Sequence, residues 1–535
     1  MERGVDMNSN RLKIHLADGC SNAVILTGTS KQMGYQYGCK FAEKWKQYDI
    51  LIKASIFNSP LTTSMYGYEP PEKDQAKKDM QALLYIAKKY SPEYVEWLEG
   101  LQEGLESQGV ILELEDILMV ATYPDERWAR PGGKYPEGFD ENNEAEGTAP
   151  IRPYCNGFAA SGDSTKENGV FVGVSGSPSD ETADRVMVIA YKDDGHYFST
   201  FGTIPNPFGQ SGISGKGFAF AMTSNTSEID CDWGMSPEIA AFYFASCSES
   251  AEAAKDWLKN VPRSFATGNF IFADSAGDIC VCETNNAHYN VRKPGDAGEE
   301  GNYVVSTNHF AGKETYEFNV PEMEAWKFDS ECRLATVSKY LKKGIDCGGI
   351  DIDWIHQLLR MDDWYSPETN EWTYNDPGSG KGSDVLEYTH SAFYDPAAMM
   401  AYYMQGTGNG VGVPAGSMGE FVQIPIVEDG NSLIEIMMMD AFFGAYHTAR
   451  GEYVRVRNAS KVLQQDYASQ AALEELLNES YRNYEYAINS WAKGCLQKDN
   501  LDESWMDSFG EAITGLGKTQ MYARKLISQL KYYDV

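Results

Sequence analysis

Apolar positions in the first part of the chain fall at helical spacing. Between Lys77 and Lys89, the residues Met80, Leu83, Leu84, Ile86 and Ala87 line one side of a 3.6-residue repeat and predict a helix. Ser91-Pro92-Glu93 reads as the next helix start, with Ser as cap, Pro in the first turn and an acid beside it. A helix from Glu93 would bury Val95, Leu98, Leu101 and Leu105, and Gly109 would end it. Leu112 then opens a further apolar segment that runs to Tyr123.

The pattern breaks between Pro131 and Pro153. Pro131, Gly132, Gly133, Pro136, Gly138, Gly147, Pro150 and Pro153 are spaced among acids, which predicts an exposed, mobile loop. Chains are cut in such loops, and this one ends at Cys155. Beyond it the texture changes to short strands. Val170–Val174, Val186–Tyr191, Tyr197–Phe201, Gly217–Thr223, Asn269–Ala273, Ile279–Glu283 and Tyr303–Thr307 all read as β segments. Asp274 to Asp278 is a hairpin connection between two of them. Helical pieces are expected near Pro237–Cys247, Ala251–Leu258, Arg333–Lys343 and Ile352–Met361, and again around Ala471–Trp491 and Trp505–Leu530. Strand clusters flanked by helices predict an α+β architecture of sheets covered by helices.

A length of 535 residues exceeds one typical core. The formal net charge of −33 makes nucleic acid and anionic lipid poor partners. The start, Met-Glu-Arg-Gly-Val-Asp-Met-Asn, lacks the apolar core of a signal peptide. Ile434–Tyr446 is apolar but carries Glu435 and Asp440 and is too short to span a bilayer. The expected location is the cytoplasm, and the ten cysteines, none in a C-x-x-C pair, are expected as thiols. The seven histidines form neither H-E-x-x-H nor H-x-x-x-H, so no metal is expected and no organic cofactor is implied. Gly406–Gly412 is glycine-rich without G-x-G-x-x-G and reads as a flexible loop, and Met437-Met438-Met439 reads as core filling.

A lone cysteine is more often a buried structural thiol than a nucleophile. Cys155 differs in its setting. It stands where the loop gives way to strand, small and polar residues follow it (Asn156 to Gly162), and a long helical segment precedes it. More specific are several short pieces. Gly34-Tyr35-Gln36-Tyr37-Gly38 resembles a "G-x-x-x-G" helix, and Tyr94 to Gly104 an "E-L-x-G-x-A-E-G" helix. Leu114-Glu115-Asp116-Ile117-Leu118 resembles "L-E-D-I-L". Cys155 with Phe158 to Lys166 resembles a nucleophile segment, and Gly212 to Ala219 resembles "G-x-N-x-K-G-L-A". Phe272 to Glu283 resembles a hairpin, Ser306-Thr307-Asn308-His309-Phe310 resembles "T-N-H-F", and Ser330 to Leu334 resembles "S-x-S-R-L". In this order they resemble the acyl-CoA:6-aminopenicillanate acyltransferase family, the linear amide C-N hydrolases to which isopenicillin N acyltransferase gives its name as a peptidase family. Bile-salt hydrolase and penicillin V acylase are more distantly similar.

The resemblance implies an N-terminal-nucleophile hydrolase fold, an αββα sandwich of two antiparallel sheets, and maturation by attack of Cys155 on the Tyr154–Cys155 bond. Residues 1–154 would then be a helical prosegment that stays bound as a small chain, and 155–535 the catalytic domain. The chemistry is consistent. A thiol of pKa near 8.5 needs activation, and its own freed α-amine, of pKa roughly 7.7–8.0, can take the proton. Asn225, or its neighbour Ser224, stands where the family has its side-chain oxyanion donor. Asn308 matches an asparagine that holds the free amine, and Arg333 an arginine near the nucleophile. In place of the family's "G-R-N-x-D" the chain reads Gly173-Val174-Ser175-Gly176-Ser177. Val174 takes the Arg position and Ser177 the Asp position, with Asp180 able to compensate after a small shift. Tyr154 replaces the small residue that precedes the nucleophile in some relatives.

The expected activity is cleavage or transfer of an acyl group at a linear amide through a thioester. The expected partner is a small-molecule amide or acyl substrate, and the oligomeric state stays open. Two other readings remain: a dipeptidase or aminoacyl-peptide hydrolase on the same fold, using acids such as Asp180 to bind a free amine, and a catalytically silent binding homologue.

Overall fold

A computed structural model describes residues 22–58, 72–126, 133–140, 144–145, 155–176, 185–225, 233–263, 268–319, 324–359, 361, 363–373, 390–405, 420–502 and 504–533. Its strands in chain order are β1 (Asn22–Gly28), β2 (Gly133–Lys134), β3 (Glu144–Ala145), β4 (Cys155–Ala160), β5 (Phe171–Gly176), β6 (Arg185–Lys192), β7 (Tyr197–Thr203), β8 (Ser211–Ser214) and β9 (Phe218–Thr223). They continue with β10 (Gly268–Asp274), β11 (Ile279–Thr284), β12 (Tyr289–Arg292), β13 (Tyr303–Ser306), β14 (Trp364–Ser366), β15 (Glu371–Thr373), β16 (His390–Asp395), β17 (Met400–Gln405) and β18 (Glu420–Pro425). Eight strands form one sheet in the order β1-β6-β7-β8-β9-β10-β11-β12, and six form a second in the order β13-β4-β5-β16-β17-β18. Pairing is antiparallel throughout both sheets except for β1 beside β6.

Central strands such as β4, β5, β9, β10 and β11 are buried along nearly their whole length because both faces are covered. Alternate residues serve opposite layers. Met187 and Ile189 of β6, Ala219 and Ala221 of β9, and Ile271 and Ala273 of β10 point inward. There they meet Ala159 of β4, Val172 and Val174 of β5, and Ala392 and Tyr394 of β16 in one core. Val186 and Val188, Phe218 and Phe220, and Phe270 and Phe272 point the other way, onto helices Ser30–Asn58, Lys73–Tyr90, Pro92–Ser107, Leu114–Glu126 and Pro237–Ser246. On the far side Phe158, Phe171, Phe393 and Phe421 pack on helices Glu324–Asp346 and Ile352–Leu358 through Val337, Leu341, Ile355 and Leu358. Four layers result: helices, sheet, sheet, helices. This is the αββα arrangement expected from the sequence.

Two differences from the sequence reading bear on the site. The segment before Cys155 is not purely helical. Asn-Ala-Val-Ile-Leu-Thr-Gly forms edge strand β1, parallel to β6, so sequence upstream of Cys155 completes the larger sheet. The strands β16, β17 and β18, unforeseen in the sequence, build half of the smaller sheet. Smaller departures concern Ser91, whose hydroxyl makes no cap bond, and the methionine run, in which Met437 is buried while Met439 is exposed. The predicted cut loop lies mostly, and Gly406–Gly412 wholly, outside the described residues, but the described part of the first is not an open loop: β2 pairs with β3, and Tyr135 is buried with its hydroxyl donating to Asp79 Oδ1 at 2.8 Å.

The glycine pairs of the early motifs have a packing reason. Gly34 and Gly38 on one helix face Gly100 and Gly104 on another. A Cβ on Gly100 would sit 1.9 Å from Lys31 O, and one on Gly34 2.1 Å from Trp97 O. The two backbones touch, which only glycine permits. At the other end, Trp505–Leu530 closes the edge between the sheets: Phe509, Ala512, Ile513 and Leu516 join the inner core, and the Ala23 amide of β1 donates to Thr514 Oγ1 at 2.9 Å. Among the described residues no helix is long and apolar enough to cross a membrane.

Candidate active site

Cys155 is the first residue of β4, and the alternation of that strand fixes where it faces. Ala159 points to the core between the sheets and Phe158 and Ala160 to the outer helix, so Cys155 shares the inner side with Gly157. A Cβ on Gly157 would lie 2.2 Å from Ile271 Cδ1 of the opposite sheet. The thiol is buried. Asn308, just past the end of β13, stands beside it because β13 pairs with β4. The Cys155 backbone nitrogen donates to Asn308 Oδ1 at 2.9 Å, and Asn308 Nδ2 donates to Ser224 O at 2.7 Å. One amide therefore ties the Cys155 nitrogen to the end of β9 on the other sheet.

Helix Glu324–Asp346 clamps this arrangement from outside. Arg333 Nη1 donates to Cys155 O at 2.7 Å and to Asn156 Oδ1 at 3.1 Å. The guanidinium is buried, and these contacts place it on the Cys155 carbonyl and on the next side chain. One turn earlier, Ser330 Oγ accepts from the Asn308 amide at 2.9 Å and bonds His309 Nδ1 at 2.7 Å. The Asn308 loop is held on its other side by Glu283 of β11. Its carboxylate accepts from the Ala311 and Gly312 amides at 2.9 and 3.1 Å and from the Thr315 hydroxyl, and pairs with buried Arg292 at 3.1 Å. Arg292 also bonds Glu299 and the Val305 carbonyl, so this buried charge pair is embedded in further bonds. Asn269 and Thr223 complete the lacing: Asn269 Nδ2 donates to Thr307 O and His309 O at 3.0 and 3.1 Å, and Thr223 Oγ1 to Thr307 O at 2.7 Å.

Of the residues singled out in the sequence, Cys155, Asn308 and Arg333 come together. Asn225 is near, next to Ser224, but its side chain is committed elsewhere. Its Nδ2 donates to Asn269 Oδ1 at 2.9 Å and to Thr284 O at 3.3 Å. The Asn269 amide nitrogen is itself a double donor, which leaves its oxygen as the acceptor and fixes which way Asn225 points. Both Asn225 N–H groups are thus in use, and Asn225 Oδ1 is buried without a hydrogen-bond partner. Tyr154, Ser177 and Asp180 lie outside the described residues. A residue not singled out in the sequence also lies close: Gln210, in the turn before β8, whose Nε2 is 3.5 Å from Cys155 Sγ. Asn206-Pro207-Phe208-Gly209-Gln210 reads as an ordinary turn, and no signal in it points to chemistry.

No protein-family model and no curated protein matches the chain. Among solved structures it is similar to a mutant of conjugated bile acid hydrolase from Clostridium perfringens, at 14% identity and a TM-score of 0.33, over 51% of this chain and 93% of that one. A second variant of the same enzyme gives 16% identity and the same score and coverage. The Caenorhabditis elegans ortholog of N-acylethanolamine-hydrolyzing acid amidase gives 14% identity and a TM-score of 0.30, over 45% of this chain and 93% of that one. Scores at this level do not fix a fold, which rests instead on the layers and strand orders above.

Proposed function

We propose that the chain is a self-cleaving cysteine amidohydrolase or acyltransferase of the N-terminal-nucleophile type, acting on a linear amide. One observation carries this reading: the buried Cys155 opens a strand with its backbone nitrogen held by Asn308 Oδ1 at 2.9 Å. Cleavage of the Tyr154–Cys155 bond would turn that nitrogen into an amine already anchored beside its own thiol. The amine takes the thiol proton, so one residue provides attacker and base, and no separate histidine is needed. The thiolate attacks the amide carbonyl, the tetrahedral intermediate collapses with loss of the amine, and water or a second amine resolves the thioester. Arg333 positions the nucleophile through the Cys155 carbonyl. In this scheme residues 1–154 stay bound after the cut, because β1 is part of the large sheet.

The test is intact-mass measurement of freshly purified wild-type and Cys155→Ala proteins, followed by assay against a panel of N-acyl amides. Two chains separating at Tyr154–Cys155 and amide turnover are expected for the wild type, and neither for the variant. Equal activity of the two proteins, or turnover by a wild-type chain still joined at that bond, overturns the reading.

A further inference from the structure

We propose that Gln210 supplies the side-chain hydrogen bond to the oxyanion, the role the sequence assigns to Asn225. This rests on the amidase reading and deepens it. Attack at a carbonyl puts negative charge on an oxygen two bonds from the sulfur, and a fixed donor there is worth more than any other single contact. Gln210 Nε2 already lies 3.5 Å from Cys155 Sγ, so a small rotation brings it within about 2.7–3.1 Å of that oxygen. Asn225 has no N–H to spare, since Asn269 Oδ1 and Thr284 O take both.

The fold builds a seat for this amide. Gly176 pairs with Cys155 across β4 and β5, and its missing side chain leaves the room. A Cβ there would sit 2.3 Å from Gln210 Oε1 while staying 3.6 Å from Cys155 Sγ. The backbone under Gln210 is rigid on both sides. Gly209, at φ +56°, packs so closely that a Cβ would lie 2.1 Å from Phe201 O, and its amide donates to Asn206 O at 3.2 Å. Ser211, next along, is anchored by the Tyr394 hydroxyl at 2.8 Å. A donor held this way needs little reorganisation when the charge appears.

The step balances. The thiolate lone pair forms the C–S bond, and the carbonyl π pair moves to oxygen, where Gln210 Nε2–H donates. When that pair returns, the C–N bond breaks, and the Cys155 α-ammonium gives its proton to the departing nitrogen. Nothing is oxidised or reduced.

Three variants test this: Gln210→Ala, Gln210→Glu and Gly176→Ala, the last displacing the amide without altering it. Each is checked by thermal melting, then assayed for kcat and KM on an N-acyl amide and for the pH profile of Cys155 alkylation by iodoacetamide. Gln210→Ala should lower kcat by ~10²–10³-fold with KM little changed. Gly176→Ala should follow it. Gln210→Glu should be worse than Gln210→Ala at neutral pH, with the alkylation midpoint moved to higher pH, because its carboxylate opposes both thiolate and oxyanion. Folded Gln210→Ala and Gly176→Ala proteins with kcat within threefold of wild type would overturn the assignment. Should the wild type show no Cys155-dependent turnover, the amidase reading has failed. The alkylation profiles then decide alone, and an unchanged midpoint in Gln210→Glu overturns the contact.

Discussion

Asn308 is the residue whose removal should do most damage for its size. In Asn308→Ala two bonds vanish together: the buried one from the Cys155 nitrogen at 2.9 Å and the partly buried one to Ser224 O at 2.7 Å. Each leaves a polar group without its partner, and such a group costs about 1–3 kcal/mol when buried. The pair therefore amounts to about 2–6 kcal/mol, a large part of the stability of most proteins. Asn308→Asp separates the two halves. It keeps the oxygen that accepts from Cys155 but sets a second oxygen against Ser224 O. Its negative charge also lies against the freed amine, favours the ammonium form and so raises the amine pKa above its usual value of about 7.7–8.0. The base is then protonated over a wider range, and the acid limb of the pH–rate profile for kcat/KM should move to higher pH. The assays are urea unfolding for the alanine variant and a pH–rate series for the aspartate variant. If Asn308→Ala unfolds at the wild-type urea concentration, or if Asn308→Asp is active with an unmoved acid limb, then Asn308 does not hold the catalytic amine.

Three other perturbations have clear signs. Gly100→Ala drives a Cβ to 1.9 Å from Lys31 O and should destabilise by at least about 1–3 kcal/mol, whereas Gly451→Ala, in helix His447–Ala459 with nothing near its Cβ, should stabilise by about 0.5–1 kcal/mol; thermal melting of the two should shift in opposite directions. Glu283→Ala leaves Arg292 without one buried partner and releases Ala311, Gly312 and Thr315, so a loss of about 3–5 kcal/mol and faster hydrogen exchange at the Ala311 and Gly312 amides are expected. His196 is buried with Nε2 on Ala245 O at 2.8 Å, and burial holds its pKa below the ordinary value of 6.5. The folded state thus disfavours protonated His196. Its contribution is intact above pH 6.5 and is lost as pH falls from there through the folded pKa, so the melting temperature of His196→Gln should fall less steeply below pH 6.5 than that of the wild type.

Residues that belong to short motifs were legible in the sequence, and residues placed by turns were not. Cys155, Asn308 and Arg333 lie in pieces with recognisable neighbours, and pairing of β13 with β4 and packing of one helix on both bring them together. Gln210 escaped notice because an amide at the end of a turn carries no pattern. Its approach to Cys155 arises only when the chain turns between β7 and β8 and Gly176 of the facing sheet leaves room. Asn225 shows the converse. Sequence order places it correctly at the end of a strand, but whether its amide is free depends on Asn269 and Thr284, 44 and 59 positions away. Strand β1 holds an apolar run of only four residues, Ala23 to Leu26, too short for periodicity to tell strand from helix, and only its pairing with β6 decides. The glycine pairs were visible, but their cause, contact between two helix backbones, is tertiary.

The helix Glu324–Asp346 unites the site in a way that can be measured. Ser330 and Arg333 are three residues apart and so lie on one face of it. Ser330 grips the Asn308 loop and Arg333 the Cys155 strand, so a single rigid element sets the distance between Asn308 and Cys155. Ser330→Ala removes an acceptor from the Asn308 amide, and Arg333→Lys keeps the charge but loses the planar guanidinium whose Nη1 donates to both the Cys155 and Asn156 oxygens. Were the two grips independent, their effects on kcat would add. If the helix acts as one clamp, the first loss already lets the pair drift, and the second costs less than it would alone. A double-mutant cycle on log kcat should then show a coupling of at least about 0.5 kcal/mol, the range for residues that share a network. Strict additivity would mean that loop and strand are each held well enough by the sheet, and that the helix merely covers them.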